Sequence, residues 1–125
     1  MDKTLYIAGC IGFDPKTMEI VGGGVEAETS QALTNMGAVL KAAGCTHNNV
    51  VKTTVLLNDI KDSAAVNEVY KKFFPTNYPA RTGFQVQSIF FCWPFKMTKT
   101  PKLSLKYETF PKKDEKYTCL SAAEA

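Results

Sequence analysis

Residues that hold metal ions are scarce in this sequence. His47 is the only histidine, and the four cysteines (Cys10, Cys45, Cys92 and Cys119) stand far apart with no C-x-x-C pair. A zinc site needs close donors and a disulfide framework needs paired spacings, so no metal is expected and the thiols read as free. Long apolar runs are missing too. The longest, Ile89 to Phe95, is broken by Pro94 and is far too short to cross a bilayer as a helix. The opening Met1-Asp2-Lys3-Thr4-Leu5 has no cationic region followed by an apolar one, so no secretion signal is read and the expectation is an intracellular protein. Gly22-Gly23-Gly24 lacks the Gly-Lys-Ser/Thr ending of a phosphate loop. Arginine is nearly absent: of 15 Lys+Arg residues, only Arg81 is an arginine.

What is present describes an ordinary globular chain. Its 125 residues suit one domain with a single core, and 45% hydrophobic with 22% charged residues excludes a disordered or fibrous polymer. The net charge of +3 is unevenly placed. Between residues 96 and 116 seven lysines face three acids, a local +4, which leaves −1 for the rest. A short lysine-rich segment without arginine or an aromatic stripe reads as solvated surface, which argues against a nucleic-acid partner.

Leu5 to Ile11 is short and rich in strand formers, Asp14-Pro15-Lys16-Thr17 is a turn, and Met18 to Val21 alternates, so the pair reads as a β-hairpin. From Val25 the apolar positions fall at 29, 32, 33, 36, 39, 40 and 43, a helical stripe. Glu26 and Glu28 stand in its first turn, Lys41 in its last, and Gly44 where a left-handed C-cap is expected. Val50 to Leu57 is a β-branched strand. Asp62 or Ser63 caps a second helix through Phe74, with Val66, Val69, Tyr70 and Phe73 on one side. Thr82 to Ile89 is a further strand, and Lys102 to Tyr107 alternates like one more. The order gives an α+β fold, a mixed sheet with two helices packed on one face.

Arg81 is the strongest candidate for a site. It lies in a Pro-Ala-Arg-Thr-Gly-Phe turn with no acidic residue within ten positions on either side, so a local ion pair does not account for it. Its planar fork suits a carboxylate. The bland alternative is pairing with a distant acid or with a partner's backbone carbonyls. Gly9, inside a strand, marks a place where a ligand or another backbone approaches. Asn67 reads first as a helix or subunit contact. Cys10 has no base beside it in sequence, and a Cys–His pair with His47 has no support.

The stretch NVVKTTVLLNDIKDSAAVNEVYKKFFPTNYPARTGFQV, with LYIAGCIGFDPKT, VGGGV and QALTNMGAVLKAAGC upstream, resembles the RidA/YjgF family from Thr4 to Val86. That family consists of small trimeric deaminases of reactive imines and enamines, found in cytoplasm and mitochondria, with a chorismate-mutase-like fold and no cofactor. The resemblance implies that Arg81 binds a substrate carboxylate, that Gly9 and Gly83 line the pocket, and that the partners are small 2-imino or 2-keto acids and two further copies of the chain. Ala8 stands where the family commonly has serine. The family's N-terminal Gly-Pro-Tyr segment has no counterpart, and after Val86 the likeness stops. Its Ile-Glu-Ile-Glu strand, the source of the carboxylate that activates water, is unmatched, and Glu108 is the nearest candidate. The division implied is a RidA-like domain over 1–95 and a divergent, partly disordered lysine-rich tail over 96–125. The function implied is an impaired deaminase; a non-catalytic binder of small acids is the alternative, and a ribonuclease or translation inhibitor ranks last because the body is slightly acidic.

Overall fold

The stripe over residues 29–43 is realised in α1 (Val25–Ala42), where Thr29, Ala32, Leu33, Met36, Val39 and Leu40 are buried. In this computed structural model, which describes residues 4–87 and 103–109, the helix ends as the glycine required. Gly44 takes φ +71°. Its N–H bonds Lys41 O at 3.0 Å, and the Cys45 N–H reaches back to Leu40 O at 2.7 Å. That is a Schellman termination, available cheaply only to a residue without a Cβ.

The strands are β1 (Leu5–Cys10), β2 (Phe13–Asp14), β3 (Glu19–Ile20), β4 (Val50–Leu57), β5 (Ala80–Gln85) and β6 (Leu103–Thr109). Four of them form one mixed sheet in the order β1-β6-β4-β5. β4 and β5 run parallel, joined by the crossover helix α2 (Ser63–Phe73), while β6 is antiparallel to both β1 and β4. A parallel pair needs such a crossover, because a tight turn cannot bring the chain back in the same direction.

Three expectations are corrected here. The strand over Leu5–Ile11 does not pair with residues 18–21; it joins the main sheet through β6, and the hairpin is only β2 with β3. Two-residue strands offer too little pairing to compete with a full ladder. The strand beginning at Thr82 starts instead at Ala80, opposite Lys52, because the parallel register with β4 extends it backwards. Its part beyond residue 87, the Ile89–Phe95 run and the tail from Pro111 lie outside the described residues. Asp62 does not cap α2 with its side chain; Asp59 accepts from the Lys61 N–H at 3.0 Å and caps a short 3-10 turn before it. The alternating stretch from Lys102 is a strand as read, Leu103–Thr109, and it lies between β1 and β4.

Both helices lie on one face of the sheet. The core between them joins Leu5, Ile7, Val55 and Leu57 from the strands to the α1 stripe and to Val66, Val69, Tyr70 and Phe74. The opposite face is open, with Tyr6 and Phe84 exposed on it. The link from β1 to β2 passes close to α1 at Gly12, where a Cβ would stand 2.6 Å from Glu28 Cα, so only glycine fits.

Cys10 is wholly buried beside this core. Burial pushes its thiol up to about 12. The folded chain therefore keeps a proton that the unfolded chain releases, and stability should fall as pH rises from the ordinary thiol value toward 12. Titration with a thiol reagent at pH 8 should leave Cys10 unmodified until denaturant is added; rapid native labelling at Cys10 would contradict its burial.

Candidate functional site

A groove of about 470 Å³ opens between α2 and the start of β5, lined by Ala64, Asn67, Glu68, Tyr70, Lys71, Tyr78, Pro79 and Arg81. Its helical wall follows from spacing: positions 64, 67, 68 and 71 are one turn apart and share a face. Its other wall is the Tyr78-Pro79 bend and β5, whose positions are all exposed. Buried Pro79 fixes the backbone just before the sheet begins.

Arg81 stands on β5 level with Thr53 of β4. Its guanidinium carbon lies 5.0 Å from the centre of the Tyr70 ring. Glu68, the acid of the groove, is taken by Lys71 at 2.8 Å, and that pair holds the Glu68 carboxyl below its usual range. Among the described residues no carboxylate pairs with Arg81. The positive fork thus stays available at the mouth of a concave surface, the arrangement a small anion needs.

Beneath it the structure is rigid. The Tyr70 hydroxyl and the Thr53 hydroxyl share a hydrogen bond of 2.7 Å, both residues being buried. The Tyr70 ring stacks on Phe74 with centroids 4.6 Å apart. Burial pushes the Tyr70 phenol up, outweighing the opposing pull of Thr53 and of the Arg81 charge, so the ring stays neutral at physiological pH.

Of the residues singled out from sequence, Arg81 and Asn67 share the groove. Gly83 is two positions along β5, opposite Val55. A Cβ there would come no nearer than 3.8 Å to Val55 O, so crowding within the chain does not require glycine. Ala8 and Gly9 fall where the β1–β6 register slips between Ile7 and Cys10, a bulge in the strand at the far edge of the sheet. Two strands separate β1 from β5, a gap of roughly 14 Å at about 4.8 Å per strand, so these residues do not reach the Arg81 groove of the same chain. Glu108 stands level with Lys52, one position out of line with Arg81, whose row is Thr53 and Tyr107.

Sequence reading missed the groove's floor. The helical pattern assigns Tyr70 only to the core stripe, although a buried tyrosine needs a partner for its hydroxyl, and Thr53 inside the β-branched β4 run is the available signal. His47 is packed between Phe73 and Phe74, with ring centroids 5.7 and 5.5 Å away. A Cβ on Gly37 would stand 2.9 Å from its Cε1, so the helix makes room for the ring. Of the described residues, no three His, Cys, Asp or Glu side chains gather as a metal site, and no helix is long and apolar enough to cross a membrane.

The sequence profile of the Endoribonuclease L-PSP family matches residues 1–97. The human 2-iminobutanoate/2-iminopropanoate deaminase is 56% identical over 89 residues, which cover 71% of this chain and 65% of that protein. The chain thus spans a little under two thirds of the length of this and other curated relatives it matches. Among solved structures, RidA from the Antarctic bacterium Psychrobacter sp. superposes with a TM-score of 0.77 at 34% identity, covering 88% of this chain and 82% of that one. TdcF of E. coli, solved with bound serine, gives 0.75 at 30% identity with the same coverage.

Proposed function

This chain belongs to the Endoribonuclease L-PSP family, the RidA/YjgF proteins, and from that membership we propose that it binds small 2-keto and 2-imino acids at Arg81 and hydrolyses 2-aminoacrylate-type enamines and imines. The observation that carries the reading is the Arg81 guanidinium, held over Tyr70 at a groove and facing no carboxylate among the described residues. A relative named for 2-imino acids and another crystallised with serine support a small ligand bearing a carboxylate. In the reaction proposed, Arg81 grips the carboxylate, water adds to the protonated imine carbon, and the carbinolamine expels ammonia to leave a 2-keto acid.

Asn67 is proposed to offer its amide to the same ligand. Gly9 and the Ala8 position lie at the opposite sheet edge, so they complete a pocket only if a second copy brings its β1 edge to the Arg81 groove. That supports a homotrimer with sites between subunits. Glu108 is the remaining candidate for activating water, and its register, one position off the Arg81 row, supports impaired turnover. Losing a positioned general base costs about 10²–10⁴-fold in rate. Ammonia release from enzymatically generated 2-aminoacrylate, run beside the human relative, should therefore be slower by about that factor. Equal rates would overturn the impairment and make Glu108→Gln the next variant. Absence of both turnover and keto-acid binding would overturn the proposal, and a monomeric mass of 13.8 kDa by light scattering would overturn the trimer.

A second reading, RNA cleavage, has the family's description behind it. It is less well supported, because the chain's only histidine packs half-buried against Phe73 and Phe74 and does not line the groove.

A further inference from the structure

We propose that Tyr70 is the positioning residue of this site: its ring face, clamped from below, holds the Arg81 guanidinium in the orientation that meets a carboxylate. The inference rests on the reading of Arg81 as the carboxylate ligand. Arg81 lies on β5, an edge strand whose positions are all exposed, so its own strand gives the side chain little to pack against. A long side chain in that setting samples many rotamers, and ordering it on binding costs affinity. What the structure supplies is an aromatic plane 5.0 Å beneath the guanidinium carbon.

That plane is itself immobile. Three constraints act on it: the 2.7 Å bond between the hydroxyls of Tyr70 and Thr53, the stack on Phe74, and burial that leaves Tyr70 only 4% exposed. Thr53 and Arg81 are level in the β4–β5 register, so the strand carrying the cation also sets its height above the ring. The contact leaves the guanidinium N–H groups free around the rim of the plane, and these are the donors a bidentate carboxylate takes. The ring pre-orders the fork without consuming its hydrogen bonds. An acid in the same place would order Arg81 equally well and block it.

The variants that test this are Tyr70→Phe, which keeps the ring, and Tyr70→Leu, which removes it, each measured for 2-ketobutyrate affinity by calorimetry on the full chain beside Arg81→Ala. Tyr70→Leu should weaken binding about 3- to 30-fold, the range of a cation–π contact, and Tyr70→Phe should stay within about 3-fold of the parent. If Tyr70→Leu binds as the parent does while Arg81→Ala does not bind, Tyr70 has no positioning role and the carboxylate reading stands. If Arg81→Ala binds like the parent, the carboxylate reading itself fails. Loss in Tyr70→Phe equal to that in Tyr70→Leu would assign the effect to the hydroxyl and overturn the role of the ring face. A parent that binds no keto acid overturns the carboxylate reading and this inference with it; should only Tyr70→Leu fail to fold, the Arg81 Nε–H resonance of the parent decides. Ring current over Tyr70 should move it upfield of the random-coil position, and a random-coil value would overturn the proposal.

Discussion

Arg81→Ala should abolish detectable binding of 2-ketobutyrate while leaving the far-UV circular dichroism and the urea midpoint near those of the parent. Two features separate its ligand role from any structural one. It is exposed on an edge strand, and among the described residues its one charge-bearing contact is the Tyr70 ring. Surface substitutions of that kind stay within about 0.5 kcal/mol, plus the modest loss of a cation–π contact. A bidentate carboxylate, by contrast, loses two charge-assisted hydrogen bonds worth about 1.5–3 kcal/mol each. The affinity loss is therefore about 10²- to 10⁴-fold, which takes a micromolar ligand out of calorimetric range. Arg81→Lys should recover only part of it, because an ammonium is a point charge and not a fork. Equal affinity of Arg81→Ala and parent would end the assignment.

Phe74→Ala should be the most destabilising of the simple truncations around the site, lowering stability by about 3–5 kcal/mol. Phe74 is 1% exposed and, among the described residues, ranks first of the fully buried side chains by volume. Its ring is stacked on Tyr70 and meets His47 edge-on, so its removal leaves a cavity bounded by rings that cannot collapse into it without abandoning each other. A domain's whole stability is about 5–15 kcal/mol, so a large part of it is at stake. The urea midpoint should fall steeply with an unchanged slope, and the thermal midpoint should drop by roughly 10 °C or more. Because Phe74 also supports Tyr70, keto-acid affinity should weaken in whatever fraction remains folded. A stability loss below about 1 kcal/mol would mean that the site repacks, contrary to the close-packed interior described above.

Much of this fold was legible because its strongest signals are local. The α1 stripe at 29, 32, 33, 36, 39 and 40 lies on the buried face of the helix, which also takes in Glu28, and the φ of Gly44 follows from where the stripe stops. The bounds of β4, Val50 to Leu57, match its β-branched run, whose alternate residues face the helices. Arg81 stood out by composition alone, as one arginine far from any acid in sequence. The hairpin pairing is of another kind: both halves read as strands, but the first pairs with distant β6 and the second with β2 beside it, and periodicity does not specify a partner.

The sequence by itself therefore determined the helices, the core strand, the family and the arginine proposed to bind a carboxylate. Periodicity, capping and composition act within a few residues, and a single chain records them directly. Tertiary structure alone decided that β6 lies between β1 and β4, that Ala8 and Gly9 sit at the opposite edge from Arg81, and that Tyr70 lies beneath the guanidinium. Each of these depends on hydrogen-bonded register between segments tens of residues apart, where a shift of one position reverses which face a side chain occupies. The cation could be read from the letters, but the ring beneath it is brought there by the packing of α2 on the sheet.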